Sequence, residues 1–176
     1  MSEIKNYRID IVKRTREILS DYYPIFKEKD REVTFLMNCL LGIIIAITET
    51  EKFSRNFLRG IIDDDFIKAI PEKIGFILSE NIIDDLTNCD LTEINLNVGH
   101  KSDLIGKDKF WLLSRIRNCI AHQNIYGINE NKKWIGVRLW NMNNSKKDFE
   151  IVFTIDELKN YTIELANNFL TMHCFS

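Results

Sequence analysis

Val33-Thr-Phe-Leu-Met-Asn-Cys-Leu-Leu-Gly-Ile-Ile-Ile-Ala-Ile47 is the longest apolar stretch of the chain, interrupted by Thr34 and Asn38. Its 15 residues fall short of the roughly 20 that a helix needs to cross a bilayer. It runs out into Thr48-Glu49-Thr50-Glu51-Lys52. A helix of this length that is apolar nearly all round belongs at the centre of a bundle. The rest of the composition agrees with that reading. The chain has 176 residues, 45% of them hydrophobic, with only 7 Gly and 2 Pro. One domain over 1–176 with a proper core fits this size. So few chain breakers argue against a turn-dense all-β fold and against low-complexity sequence.

Working outward, residues 3–23 carry Ile4, Tyr7, Ile11, Ile18 and Tyr22 at helical spacing, with Lys13, Arg14, Arg16 and Glu17 on the other face. Pro24 is the expected stop, and Asp30 the expected cap of a second helix over roughly 31–53. Phe57, Leu58, Ile61 and Ile62 predict a short helix, and Pro71 opens another that runs through Leu78. Asp63-Asp64-Asp65 can bind a divalent metal or form a solvated turn; no further ligand set accompanies it, which favours the turn. Residues 79–106 read as loop. From Lys107 to about Asn124 the pattern is strongly helical. Trp134–Trp140 and Phe149–Phe153 are rich in β-formers and predict a β-hairpin at about 134–153, with Asn141–Asp148 as a long polar tip. Thr154 or Asp156 caps a final helix to about His173. The expected fold class is therefore all-α: an up-and-down helical bundle with a small β-hairpin before the C-terminal helix.

The net charge is −2, which excludes a polybasic protein whose whole surface grips nucleic acid. The charge is uneven, however. Residues 101–147 hold ten bases and three acids, a net +7, which leaves −9 for the remainder. Lysines on solvated loops and a local anion-binding region both fit that distribution. Cys39, Cys89, Cys119 and Cys174 form no CxxC pair, and the chain opens without a signal peptide. They read as reduced thiols of a cytoplasmic protein. Only His100, His122 and His173 are present, in neither HExxH nor Glu-x-x-His spacing. Zinc-protease and di-iron readings lose their ligands, and no metal site is expected.

The stretch that carries chemistry is Phe110-Trp-Leu-Leu-Ser-Arg-Ile-Arg-Asn-Cys-Ile-Ala-His-Gln-Asn124. At about 100° per residue, Phe110, Leu112, Leu113, Ile116, Cys119 and Ile120 share one half of the wheel. Trp111, Ser114, Arg115, Asn118 and His122 share the other, with Asn118 and His122 one turn apart. Arg117 sits at the margin of the apolar arc, where its planar fork of donors needs a carboxylate or a phosphate. His122 falls in the last turn, and an imidazole there can give a proton as well as take one. Trp111 on the polar side is a large aromatic of the kind that marks an interface. A blander reading fits the spacing as well: Arg117 paired with an internal acid, and His122 closing its own helix end.

Arg117-Asn118-Cys119-Ile120-Ala121-His122 resembles the Arg-x4-His motif of the HEPN superfamily, in the form with a polar residue after the arginine. The flanking run Leu113–Ile125 is similar to the motif helix of small prokaryotic members. Ile135–Trp140, Phe149–Phe153 and the helix start at Ile155-Asp-Glu-Leu158 are similar to a branch carried on mobile elements. The resemblance covers roughly residues 107–170.

It implies a helical bundle that pairs two motif helices across a two-fold axis. It also implies a metal-independent endoribonuclease of toxin, abortive-infection or defence systems, needing no cofactor. The alternative it carries is a non-catalytic HEPN protein that binds RNA or a partner, or only dimerises. On the catalytic reading Arg117, Asn118 and His122 act on RNA. His122 moves the proton of a ribose 2′-hydroxyl, Arg117 holds the scissile phosphate, and Asn118 orients the imidazole or donates to a phosphate oxygen. A homodimer through Trp111, Ser114 and Asn118 brings in a second imidazole. Arg115, Lys132, Lys133, Arg138, Lys146 and Lys147 are the expected RNA-binding bases, the last five on the hairpin. An antitoxin or other regulatory partner is possible, and no membrane association is expected. Related toxins often carry a tyrosine two residues after the histidine as a nucleotidylation target. Here that position is Asn124 and the nearest tyrosine is Tyr126, so this mode of control is not expected.

Overall fold

A computed structural model describes residues 7–49, 51–78, 85–87, 89–91 and 97–174. The long apolar run is the central helix, α2 (Glu32–Thr48), which buries Val33, Leu36, Leu40, Ile43, Ile44 and Ile47. It packs against α1 (Tyr7–Glu28), α4 (Lys109–Ala121) and α5 (Ile155–Cys174). It ends at Thr48, whose hydroxyl turns back onto Ile44 O, and a separate short helix, α3 (Glu51–Arg59), follows. The helix expected over 31–53 is thus two. Asp30 does not cap it; the cap position is Arg31, with no side-chain bond. Asp63 takes the N–H groups of Asp65 and Phe66, starting a 3-10 turn over Phe66–Ala69. α5 starts on a reciprocal cap: Glu157 N–H donates to Thr154 Oγ1, while the Glu157 carboxylate accepts from Thr154 N–H.

The all-α expectation is overturned. Five strands form one sheet: β1 (Ile74–Ile77), β2 (Val98–Gly99), β3 (Ile125–Glu130), β4 (Lys133–Asn143) and β5 (Lys146–Thr154). Their order is β2-β1-β5-β4-β3, with every neighbouring pair antiparallel. The protein is mixed α and β, with helices on one face of the sheet. Phe76, Val137, Leu139, Phe149, Ile151 and Phe153 point to that face and are fully buried. Arg138, Trp140, Glu150 and Val152 occupy the other. The predicted hairpin is therefore the middle of a larger sheet.

Two physical reasons hid the other strands. β1 is four residues long, and Ile74-Gly75-Phe76-Ile77 is too short for period 2 to be told from a helical turn. In β3 the sequence Tyr126-Gly127-Ile128-Asn129 reads as a break. Gly127 instead makes room for a ring: a Cβ there would lie 2.3 Å from Trp134 Cζ3 across the ladder.

The hairpin tip also differs from expectation. Asn144 and Ser145, at φ +49° and +63°, form a two-residue turn of the kind that suits antiparallel strands. Asn131 and Lys132, at φ +49° and +65°, do the same between β3 and β4. Ser145→Gly removes a left-handed strain that a serine Cβ incurs. It is expected to raise stability by about 0.5–1 kcal/mol, read from denaturant unfolding. No gain would mean that Ser145 is not held at positive φ.

α1 turns a different face inward. Val12, Leu19 and Tyr23 are buried, while Tyr7, Ile18 and Tyr22 are exposed. Pro24 lies inside the helix rather than ending it. Ile4 falls outside the described residues. Two apolar stripes lie one residue apart on this helix, and spacing alone gave no way to choose between them.

Candidate functional site

α4 begins on Asp108, whose carboxylate accepts the Trp111 N–H at 2.6 Å. Leu112, Leu113, Ile116 and Cys119 anchor one side in the core, where burial pushes the Cys119 thiol pKa up. The helix stops at His122. Gln123 takes φ +58°, its N–H donates to Ile120 O at 3.1 Å, and Asn124 N–H donates to Cys119 O at 2.9 Å. This left-handed closure satisfies the last carbonyls and sends the chain straight into β3. His122 is left exposed at the end, with half-buried Asn118 one turn before it. Their main chains are joined by His122 N–H to Asn118 O at 2.9 Å.

Arg117 is half-exposed. Its Nη2 lies 2.6 Å from Glu49 Oε1, in a pair that is 41% and 55% exposed. The expected acceptor is thus a carboxylate, but one at the surface. Glu49 escaped the sequence reading because it lies 68 residues from Arg117. Its only local signal was an acid directly after the apolar run.

Neither other histidine stands beside His122. His100 precedes a 3-10 turn directly after β2, at the sheet edge opposite β3. His173 packs on Phe169 near the end of α5.

The polar side of α4 is more engaged than its pattern implied. Trp111 is half-buried, edge-on to Phe76 at 5.0 Å and Phe149 at 6.1 Å. The Arg115 guanidinium carbon lies 4.1 Å from the Trp111 ring centroid, and its Nη2 lies 3.7 Å from Asp148 Oδ2. Burial lowers the Arg115 pKa, and Asp148 opposes that shift. Asp148 also accepts Asn141 Nδ2 at 2.7 Å. The Ser114 hydroxyl donates to Trp111 O at 3.0 Å.

The remaining bases do not gather on one tip. Lys132 and Lys133 sit at the β3–β4 turn, and Lys146 and Lys147 at the β4–β5 turn. These are opposite ends of an 11-residue strand, about 33 Å apart at strand rise. Trp140 N–H donates to Asn124 O at 3.2 Å, so the Lys146 turn is the one at the His122 end. Arg138 and Lys147 lie on the outer sheet face, where both contact the buried Glu150, at 3.5 and 2.7 Å.

No helix is long and apolar enough to cross a membrane, and no group of three or more His, Cys, Asp or Glu is placed to hold a metal, both among the described residues. A family model described as HEPN pEK499 p136 matches residues 1–174. No curated protein and no solved structure matches the chain.

Proposed function

The chain belongs to the HEPN family described as pEK499 p136, and from that premise we propose that it is a metal-independent endoribonuclease of toxin or defence type, working in the cytoplasm as a homodimer. The observation that supports this reading is the end of α4, where His122 is exposed, Arg117 is half-exposed and Asn118 lies one turn before His122.

The chemistry follows from those groups. His122 takes the proton of a ribose 2′-hydroxyl, and that oxygen attacks the adjacent phosphorus. Arg117 donates to the phosphate oxygens as charge builds on them. The bond from phosphorus to the 5′-oxygen breaks, and the leaving oxygen takes a proton from the partner's His122. The products are a 2′,3′-cyclic phosphate and a free 5′-hydroxyl. Asn118, one turn below, steadies the imidazole or adds a donor. The dimer face would include Ser114, Asn118 and the exposed rim of Trp111. Lys146 and Lys147 are the nearer basic pair for the RNA backbone, with Lys132, Lys133 and Arg138 farther along the sheet. Arg115 faces Asp148 and contributes through the fold. An antitoxin or regulatory partner fits the same setting.

Glu49 favours a second reading, a non-catalytic HEPN module, because it already occupies Arg117. The pair is exposed, so phosphate can compete for the guanidinium. Glu49→Gln is expected to raise RNA affinity by up to about fivefold and to change stability by less than about 1 kcal/mol. Equal or weaker binding in a filter assay would mean that Arg117 does not meet phosphate.

The deciding experiment incubates the purified chain with mixed RNA in EDTA. Fragments ending in 2′,3′-cyclic phosphate are expected. RNA that is bound yet stays intact at every protein concentration would overturn catalysis in favour of the binding module. Light scattering should give a dimer; a strict monomer would remove the composite site.

A further inference from the structure

We propose that the ridge formed by α3 and α4 is a single-stranded RNA track leading to Arg117, in which Arg59 and Arg55 hold successive backbone phosphates and Phe110 stacks a base. The proposal rests on the ribonuclease reading and extends it to residues outside the Arg-x4-His motif.

The two helices run side by side in opposite directions. At one end Gly60 O, just past α3, accepts Lys109 N–H at the start of α4. At the other, Glu49, just before α3, pairs with Arg117 in the second half of α4. Arg55 and Arg59 are four residues apart on α3 and share a face, about 6 Å apart along its axis. That separation is comparable with neighbouring phosphates of an extended strand. On α4, Phe110 and Arg117 are seven residues apart, two turns along one face, about 10 Å. Arg59 and then Arg55 thus lead along α3 towards the end where Arg117 lies.

The chemistry between them is that of a single-strand binder. Arg55, Leu58, Arg59, Asp108 and Phe110 line a cavity of about 260 Å³. Leu58 is buried, while Phe110 is 45% exposed. An aromatic ring open to solvent in a cavity shared with two arginines offers a stacking surface beside phosphate donors. Among the described residues Asp108 is the one acid of the lining, and it caps α4. Among the described residues, neither Arg55 nor Arg59 has a carboxylate within ion-pair distance, unlike Arg115, Arg117, Arg138 and Lys147. Two arginines without an ion pair among the described residues, beside an exposed ring, separate this cavity from the one on the outer sheet face. There Arg138 and Lys147 already serve Glu150.

The test measures binding of a labelled 2′-O-methyl oligoribonucleotide of mixed sequence, which lacks the attacking hydroxyl, by fluorescence anisotropy over a salt series. Arg55→Gln/Arg59→Gln is expected to weaken binding at least tenfold and to lower the salt slope by about 1.4. Phe110→Leu should weaken it about tenfold with the slope unchanged. Arg55→Lys/Arg59→Lys should retain most of the affinity, since phosphate accepts either cation. Thermal melts check that the variants fold. If wild type binds and cleaves RNA while the Gln pair binds equally well, the track is wrong and the ribonuclease reading stands. If wild type neither binds the oligonucleotide nor cleaves RNA, the ribonuclease reading fails and takes the track with it.

Discussion

His122→Ala is expected to lower the rate of EDTA-resistant RNA cleavage by about a thousandfold while leaving the protein folded and able to bind RNA. Acid–base catalysis by one placed side chain is worth about 10²- to 10⁴-fold. The side chain is exposed at the end of α4, and its main chain, not its ring, makes the bond to Asn118 O. Truncating it leaves the helix closure through Gln123 and Asn124 intact. The composite site makes a sharper prediction. If each reaction uses one imidazole as base and the partner's His122 as acid, a mixed dimer with one alanine is inactive. Activity then falls as the square of the wild-type fraction when the variant is titrated in and subunits exchange. A linear fall would mean that one chain suffices, and unchanged cleavage by the pure variant would remove His122 from the mechanism.

The parts of the fold that could be read from sequence are those whose period persists over several turns. α2, α4 and α5 each run long enough for a buried side to stand out, and β4 and β5 carry enough β-formers to be seen as a pair. The sheet around them depends on shorter signals. β1 and β3 are four and six residues, each holding a glycine that looks like a breaker until its neighbour across the sheet is known. The two tight turns use Asn-Lys and Asn-Ser rather than Asn-Gly, so the hairpin tip looked longer than it is. These omissions propagated to the site. Trp111 is half-buried because Phe76, which covers it, belongs to β1, whose four residues have a helical look in sequence. The five bases expected on one tip are divided by β3, whose short sequence reads as a break, between two turns and the strand that joins them. Arg117 and His122 were placed by local spacing on one helix, and local spacing is the information a sequence carries most directly. Glu49 was out of reach because only the packing of α2 beside α4 brings it to Arg117.

Arg115→Ala is expected to destabilise the fold by about 2–3 kcal/mol and to change RNA affinity by less than about twofold. The sequence assigned Arg115 to RNA, whereas the fold surrounds it with its own chain. Its guanidinium lies over Trp111, and its ion-pair partner Asp148 has a side chain only 16% exposed. Removing one member of a buried pair costs about 3–5 kcal/mol, because the other charge stays behind without its partner. The 3.7 Å separation and the 27% exposure of the Arg115 side chain pull the figure down. Loss of the contact with Trp111 adds to it by about 1 kcal/mol. Asn141 still donates to Asp148, so the carboxylate is not wholly abandoned, which leaves the total below the full cost of a broken buried pair, at about 2–3 kcal/mol. A double-mutant cycle with Asp148→Asn isolates the pair. If Arg115 acts through Asp148, the two losses are not additive, with a coupling above about 0.5 kcal/mol. Denaturant unfolding of the four proteins gives this number directly. A loss below 0.5 kcal/mol in Arg115→Ala, combined with RNA binding weakened more than about fivefold, would return Arg115 to the RNA surface. The opposite result would make it the brace that holds β5 against α4, and so fixes the helix whose far end presents His122.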